Sequence, residues 1–205
     1  MKKSSALATI DFTDIPSGVY AVDSILKKAS IAFVRAGTVT HGRYLVVFGG
    51  STAATAESFE EALATTGPAI IDQAFLPDVH SALFDGVFGT RRKAGGSLLI
   101  IETETASSVV RAVEAALKGT PVDLIELRLS DMGLAGKGVA LLAGTLHDVE
   151  AAALLAADGA GVDAAPPRGF SYRLIAAPHE VVEREIIAAT RFDSAPLLEL
   201  EGEAG

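Results

Sequence analysis

"IDFTDIPSGVYAVDSILKKASIAFV", residues 10–34, and "IETETASSVVRAVEAALKGTPVDLI", residues 101–125, are two versions of one pattern. Residue n of the first matches residue n + 91 of the second, with no gap across the stretch. Ser17/Ser108, Val19/Val110, Ala21/Ala112, Val22/Val113, Leu26/Leu117 and Lys27/Lys118 are identical pairs. Asp11/Glu102 and Asp23/Glu114 keep a negative charge, and Ile31/Val122 and Val34/Ile125 keep a β-branched residue. The copy resumes after a small insertion: "GRYLVVFGG" from Gly42 matches "GKGVALLAG" from Gly136, which puts three extra residues in the second loop. A weaker echo joins "FLPDVHSAL" around His80 to "IAAPHEVVE" around His179. Self-similarity at a fixed period marks a structure built from repeated units. The chain therefore reads as two homologous halves, residues 1–90 and 91–205. The seam falls in "GVFGTRRKAGGS", residues 86–97, where glycines and basic residues interrupt the apolar pattern.

Each half predicts the same element order. An apolar strand (7–12; 98–102) leads through a serine-containing turn into an amphipathic helix (16–29; 107–119), with the serines as expected N-caps. In the first helix Val19, Val22, Ile25 and Leu26 fall at helical spacing and are the expected buried face. A strand (31–36; 122–129), a glycine loop and a strand rich in β-branched residues (44–48; 139–143) follow. A second helix (53–65; 146–157) and a short strand (69–75; 171–176) close the unit. This β-α-β-β-α-β order predicts an α+β fold: two tandem ferredoxin-like units, each a mostly antiparallel sheet with helices on one side.

The bulk composition narrows the function classes. The 205 residues are 49% hydrophobic and carry a net charge of -9, a globular composition with no basic footprint for nucleic acid or anionic membrane. No cysteine is present, which removes thiolate nucleophiles, disulfides and cysteine-ligated metal clusters. "MKKSSALATIDF" lacks the apolar stretch of a signal peptide, and no run of about 18 apolar residues exists for a membrane span. A cytoplasmic protein is the expectation.

The pattern strand–"AVDSILKKA"–strand–loop–"GRYLVVFGG", repeated as "AVEAALKGT"–"GKGVALLAG"–"TLHDVEAA", resembles the shell proteins of bacterial microcompartments, and two such units in one chain resemble their tandem-domain class. The likeness runs from about residue 7 to 190, and its most specific part is "VDLIELRLSDMGLAGKGVALLAGTLHDVEAA". The resemblance implies a homotrimer whose six units mimic a flat hexagon. It implies tiles that meet other shell proteins edge to edge around encapsulated enzymes, and a threefold pore for small polar metabolites. The pore-lining residues it implies are Val39, Thr40, His41 and Gly42 in the first half and Asp131, Met132, Gly133, Leu134, Ala135 and Gly136 in the second. At tile edges it implies Lys27 and Lys118, which close the first helix of each half, and His80 and His179, in turns like the family's "PRPH" motif but without its arginine. On residue chemistry alone the lysines are equally ordinary complements to the helix macrodipole, and the histidines ordinary turn residues. Some tandem shell proteins hold an iron–sulfur cluster on cysteines at the first-half pore; the matching position here is Thr40, so neither cluster nor other cofactor is expected.

Other chemistry is weakly supported. The spacing of Gly37, Gly42, Gly49 and Gly50 fits neither a Walker loop nor a dinucleotide fingerprint. His41, His80, His147 and His179 stand singly in sequence, with no metal-ligand spacing among them. No catalytic or metal site is expected. A trimeric ferredoxin-like sensor, binding a small molecule in its subunit clefts, is the alternative reading. The acidic tail from about 192 to 205 reads as a partner contact or an unstructured end.

Overall fold

The strand Ala6–Phe12 (β1) is buried at all seven positions, although an antiparallel sheet with one covered face should alternate. Both of its faces are therefore covered, and that determines the architecture. The computed structural model describes residues 5–93, 95–131, 133–161, 169–183, 190, 191 and 193. The elements after β1 in the first half are Ile15–Lys28 (α1), Phe33–Thr38 (β2), Tyr44–Gly50 (β3), Thr52–Thr66 (α2) and Ile70–Leu76 (β4). A short helix, Ser81–Val87 (α3), follows. The second half repeats the order as Ser97–Thr103 (β5), Ala106–Gly119 (α4), Asp123–Leu129 (β6), Gly138–Gly144 (β7), Leu146–Gly159 (α5) and Phe170–Ile175 (β8).

Two four-stranded antiparallel sheets result, in the orders β2-β3-β1-β4 and β6-β7-β5-β8. Matching registers confirm the repeat: Leu7 faces Leu76 and Leu98 faces Ile175; Asp11 faces Asp72 and Glu102 faces Ser171. In the first half Ala8, Ile10 and Phe12 point into a core with Ala21, Ile25, Phe48 and Phe59, closed by α1 and α2. Leu7, on the opposite face of β1, belongs instead to a core shared with Val110, Val113 and Leu117 of α4. The second half's helix thus covers the back of the first half's sheet.

Two expectations need correction. In α1 the buried residues are Gly18, Ala21 and Ile25, whereas Val19 and Leu26 are 53% and 54% exposed. The apolar stripe has two sectors: Ile25 meets its own sheet, while Val19 and Leu26 face away. The matching residues of α4, Val110 and Leu117, are buried. The N-caps, secondly, are Asp14 and Thr105, not the serines. Asp14 and Thr105 accept the backbone N–H of Ser17 and Ser108, as a side-chain oxygen three residues upstream does in a standard cap. This bond holds the Asp14 carboxyl below its ordinary pKa.

The glycines at 49 and 50 serve the sheet. A Cβ at Gly49 would sit 2.3 Å from the Ala6 carbonyl oxygen and 2.8 Å from the Phe33 ring. The helix α3, without a sequence signal, packs onto β6 through Gly86, where a Cβ would come within 2.9 Å of Leu124.

Candidate functional site

The loops joining β2 to β3 (residues 39–43) and β6 to β7 (residues 130–137) contain five and eight residues, so the three-residue insertion lies where the alignment placed it. They hold the strained backbone of the molecule. Among the described residues the non-glycine residues at positive φ are His41 (64°), Ser130 (50°) and Ala135 (52°), and all three are in these loops. Left-handed backbone disfavours any side chain with a Cβ and collects at functional positions. Gly42, Gly133 and Gly136 adopt it without that penalty.

Each loop is held closed by its own backbone. Val39 N–H donates to the Arg43 carbonyl, and Ser130 N–H to the Lys137 carbonyl. The Ser130 hydroxyl donates to the Gly136 carbonyl at 2.7 Å. The two loops touch: a Cβ on Gly136 would lie 2.6 Å from a terminal nitrogen of Arg43. The resulting rim exposes His41, Gly42, Gly133 and Ala135, while Val39, Asp131 and Leu134 are half-buried and Gly136 is buried. The Thr40 hydroxyl oxygen is buried and has no protein partner among the described residues. Met132 lies outside the described residues. Asp131 is held by Arg128, 2.7 Å away, and by Arg191; its hydrogen bond holds the Arg128 guanidinium above its ordinary pKa.

Of the lysine and histidine candidates, Lys118 and His80 meet at the junction of the halves, both through Glu114. His80 Nδ1 accepts the Ala82 N–H and His179 Nδ1 the Val181 N–H, both at 3.2 Å, so the two turns share one geometry. The His80 N–H donates to the Glu114 carboxylate of α4. Lys118 pairs with Glu114 at 2.7 Å and donates to the Asp78 carbonyl. In the first half Lys27 pairs with Asp23, the match of Glu114, and both side chains are mostly exposed.

A family match and similar folds bear on this arrangement. The BMC domain family matches residues 6–79. The chain is 27% identical over 190 residues to the bacterial microcompartment shell protein PduT of Citrobacter freundii, which covers 90% of this chain and 98% of the relative. The crystal structure of a microcompartment protein from Desulfitobacterium hafniense DCB superposes with a TM-score of 0.74 at 27% identity, over 89% of this chain and 99% of that one. The first unit is a BMC domain, and the chain is a homologue of bacterial microcompartment shell proteins. A fused, permuted hexameric shell protein from the RMM microcompartment is similar at a TM-score of 0.58 and 25% identity, over 79% of this chain and 87% of that one. The shell protein has two tandem units of this fold, and its place is the microcompartment shell.

Sequence reasoning missed the polar clamp that locks the two units of the shell protein together. The Asp11 carboxylate accepts the N–H groups of Ala106 and Ser107, the first residues of α4, at 3.3 and 2.9 Å. Thr9 and Ser107 hydroxyls meet at 2.9 Å. Asp72 receives the Thr105 hydroxyl and the Arg111 guanidinium, whose nitrogens lie 2.9 and 3.1 Å from its oxygens. Burial pushes the Asp11 carboxyl up to about 6, against the lowering effect of its bonds to Ser107. The signal lay in the alignment: a polar residue inside an apolar strand, matched by a longer acid at Glu102. Glu102 has a different partner, Lys137 at 2.6 Å, which holds the lysine above its ordinary pKa.

Proposed function

We propose that three copies of this shell protein close into a ring of six alternating units, with loops 39–43 and 130–137 around a threefold pore. The observation that carries the proposal is the unequal covering of two equivalent helices. In α4, Val110 and Leu117 are buried against the first sheet; in α1, Val19 and Leu26 are open. The second sheet has the complementary vacancy. Ile100, Val139 and Ile175 on its outward face are only half-buried. One contact thus exists inside the chain, and both of its halves recur unfilled on the outside. A head-to-tail contact of that kind forms a ring when the rotation closes.

The repeat assigns the contacts between copies. Asp23 and Lys27 of one copy take the roles of Glu114 and Lys118, and so meet the neighbour's chain at 177–179, as Glu114 and Lys118 meet His80 and Asp78. This draws Lys27, Lys118, His80 and His179 toward the junctions of the ring, where adjoining shell tiles abut. The rim residues, with His41 outermost, then select small polar metabolites. The role is structural and non-catalytic, with other shell proteins as edge partners and the encapsulated enzymes inside, and the division between the units falls near residue 90. Electron microscopy of the purified protein tests this reading. Hexagonal particles with an axial hole, packing into sheets, are expected; discrete particles without a threefold hole would contradict it.

A further inference from the structure

The strands β2 and β6 are edge strands, and they meet across an open cleft of about 480 Å³ within one chain. That volume lies in the range of small-molecule sites. Its walls are unlike the rest of this acidic protein. Arg35, Arg91, Arg128 and Arg191 line it against only two acids, Glu126 and Asp131. The acids are consumed locally: Glu126 is 2.7 Å from Arg91, and Asp131 is shared by Arg128 and Arg191. Arg35, exposed on β2, has no acidic partner among the described residues. Counting formal charges, the cleft carries two positive charges more than negative ones, in a chain whose net charge is -9. Its remaining lining is apolar, including Leu45, Val47, Val87 and Leu127, and Gly37 leaves space: a Cβ there would meet nothing within 4 Å.

We propose that this cleft binds a small organic anion, with a carboxylate or phosphate head on Arg35 and a short aliphatic body against Leu45 and Val47. A guanidinium fork suits either head, because both present paired oxygens to parallel N–H donors. The apolar wall favours a head with a body over a bare inorganic ion, and edge-strand peptide groups supply further polar contacts. The cleft is complete in one chain, so the inference is independent of ring closure. Val39 and Asp131 border it, which places a bound anion beside the rim loops.

Isothermal titration of the full-length assembled protein tests it with butyrate, butyl phosphate, inorganic phosphate and butan-1-ol as probes. Butyrate or butyl phosphate should bind at millimolar concentration or below, more tightly than phosphate or butanol, and comparing the two organic anions names the preferred head. Arg35→Glu should weaken that binding by about tenfold or more, the loss of one charge-assisted contact. Gly37→Leu, whose Cβ would meet nothing within 4 Å and whose side chain would enter the cleft, should abolish it while leaving the melting temperature and the assembled mass unchanged. Absence of anion binding, equal binding of butanol, or binding unaffected by both substitutions would overturn the proposal. The mass of the assembly is read on the same samples, so failure of the ring and failure of the cleft are separately visible.

Discussion

Helices α1 and α4 are copies of one another, yet one is sealed and the other half open. Around α4 the contact with the first sheet is polar at its heart, with Asp11, Asp72, Thr105 and Arg111 joined across it. Three of the clamp's positions lose their polar group or donor around α1, although Glu102, Ser171 and Asp14 keep polar side chains where Asp11, Asp72 and Thr105 stand. Thr9 corresponds to Ile100, Ser107 to Pro16 and Arg111 to Tyr20, and Pro16 has no N–H to offer Glu102. In the proposed ring, this difference lets one fold serve two kinds of junction. A junction within a chain forms as the chain folds and tolerates buried polar groups that must all find partners. A junction between chains must leave its faces in water until a second copy arrives, and apolar side chains with few polar demands suit that task.

Substitutions at matched positions separate the two junctions. The largest effect is expected from Val110→Glu, which buries an unpaired charge in the sealed contact; it should cost more than about 4 kcal/mol and leave little folded protein by circular dichroism. Next is the pH dependence of Asp11. Its folded pKa is raised from 3.8 to about 6, so the folded state holds the proton more tightly than the unfolded chain does. Stability from this group is intact below pH 3.8 and falls as pH rises to about 6, by up to about 3 kcal/mol. Denaturant titrations from pH 4 to 7 should show that decline in the wild type and a flatter profile in Asp11→Asn. Arg111→Met strands Asp72 and should cost about 2 kcal/mol, discounted because both side chains are partly exposed. His41→Val places a β-branched residue at positive φ and should cost about 1 kcal/mol, read as a small fall in melting temperature.

Much of the fold was legible in the sequence because the repeat doubles every signal. Each of the eight core strands and four long helices came from two alignable stretches, and the boundaries agree within two residues at most ends. The loops were legible for the same reason: "THGR" and "AGK" stand at matching positions, and the extra residues fall between Asp131 and Gly136. Periodicity could not say which side of α1 was covered. Val19, Ile25 and Leu26 all fit a helical stripe, but a stripe reports apolarity and not the identity of the covering surface. The polar clamp was hidden because Asp11, Asp72 and Arg111 are separated by some 40 to 100 residues, and pairing at that distance leaves no local spacing. The short helix α3 escaped because seven residues give too little periodicity to distinguish a helix from a turn.

The open side of α1 is the point on which the account stands. Val19→Glu, at the position equivalent to Val110, should leave the folded chain within about 0.5 kcal/mol of the wild type, because Val19 is 53% exposed in a single copy. Sedimentation equilibrium at micromolar concentration is the direct measurement. The account predicts about three times the chain mass of 21.1 kDa for the wild type, and a single chain mass for Val19→Glu. A wild type that sediments as one chain, or a Val19→Glu protein that remains trimeric, would contradict it.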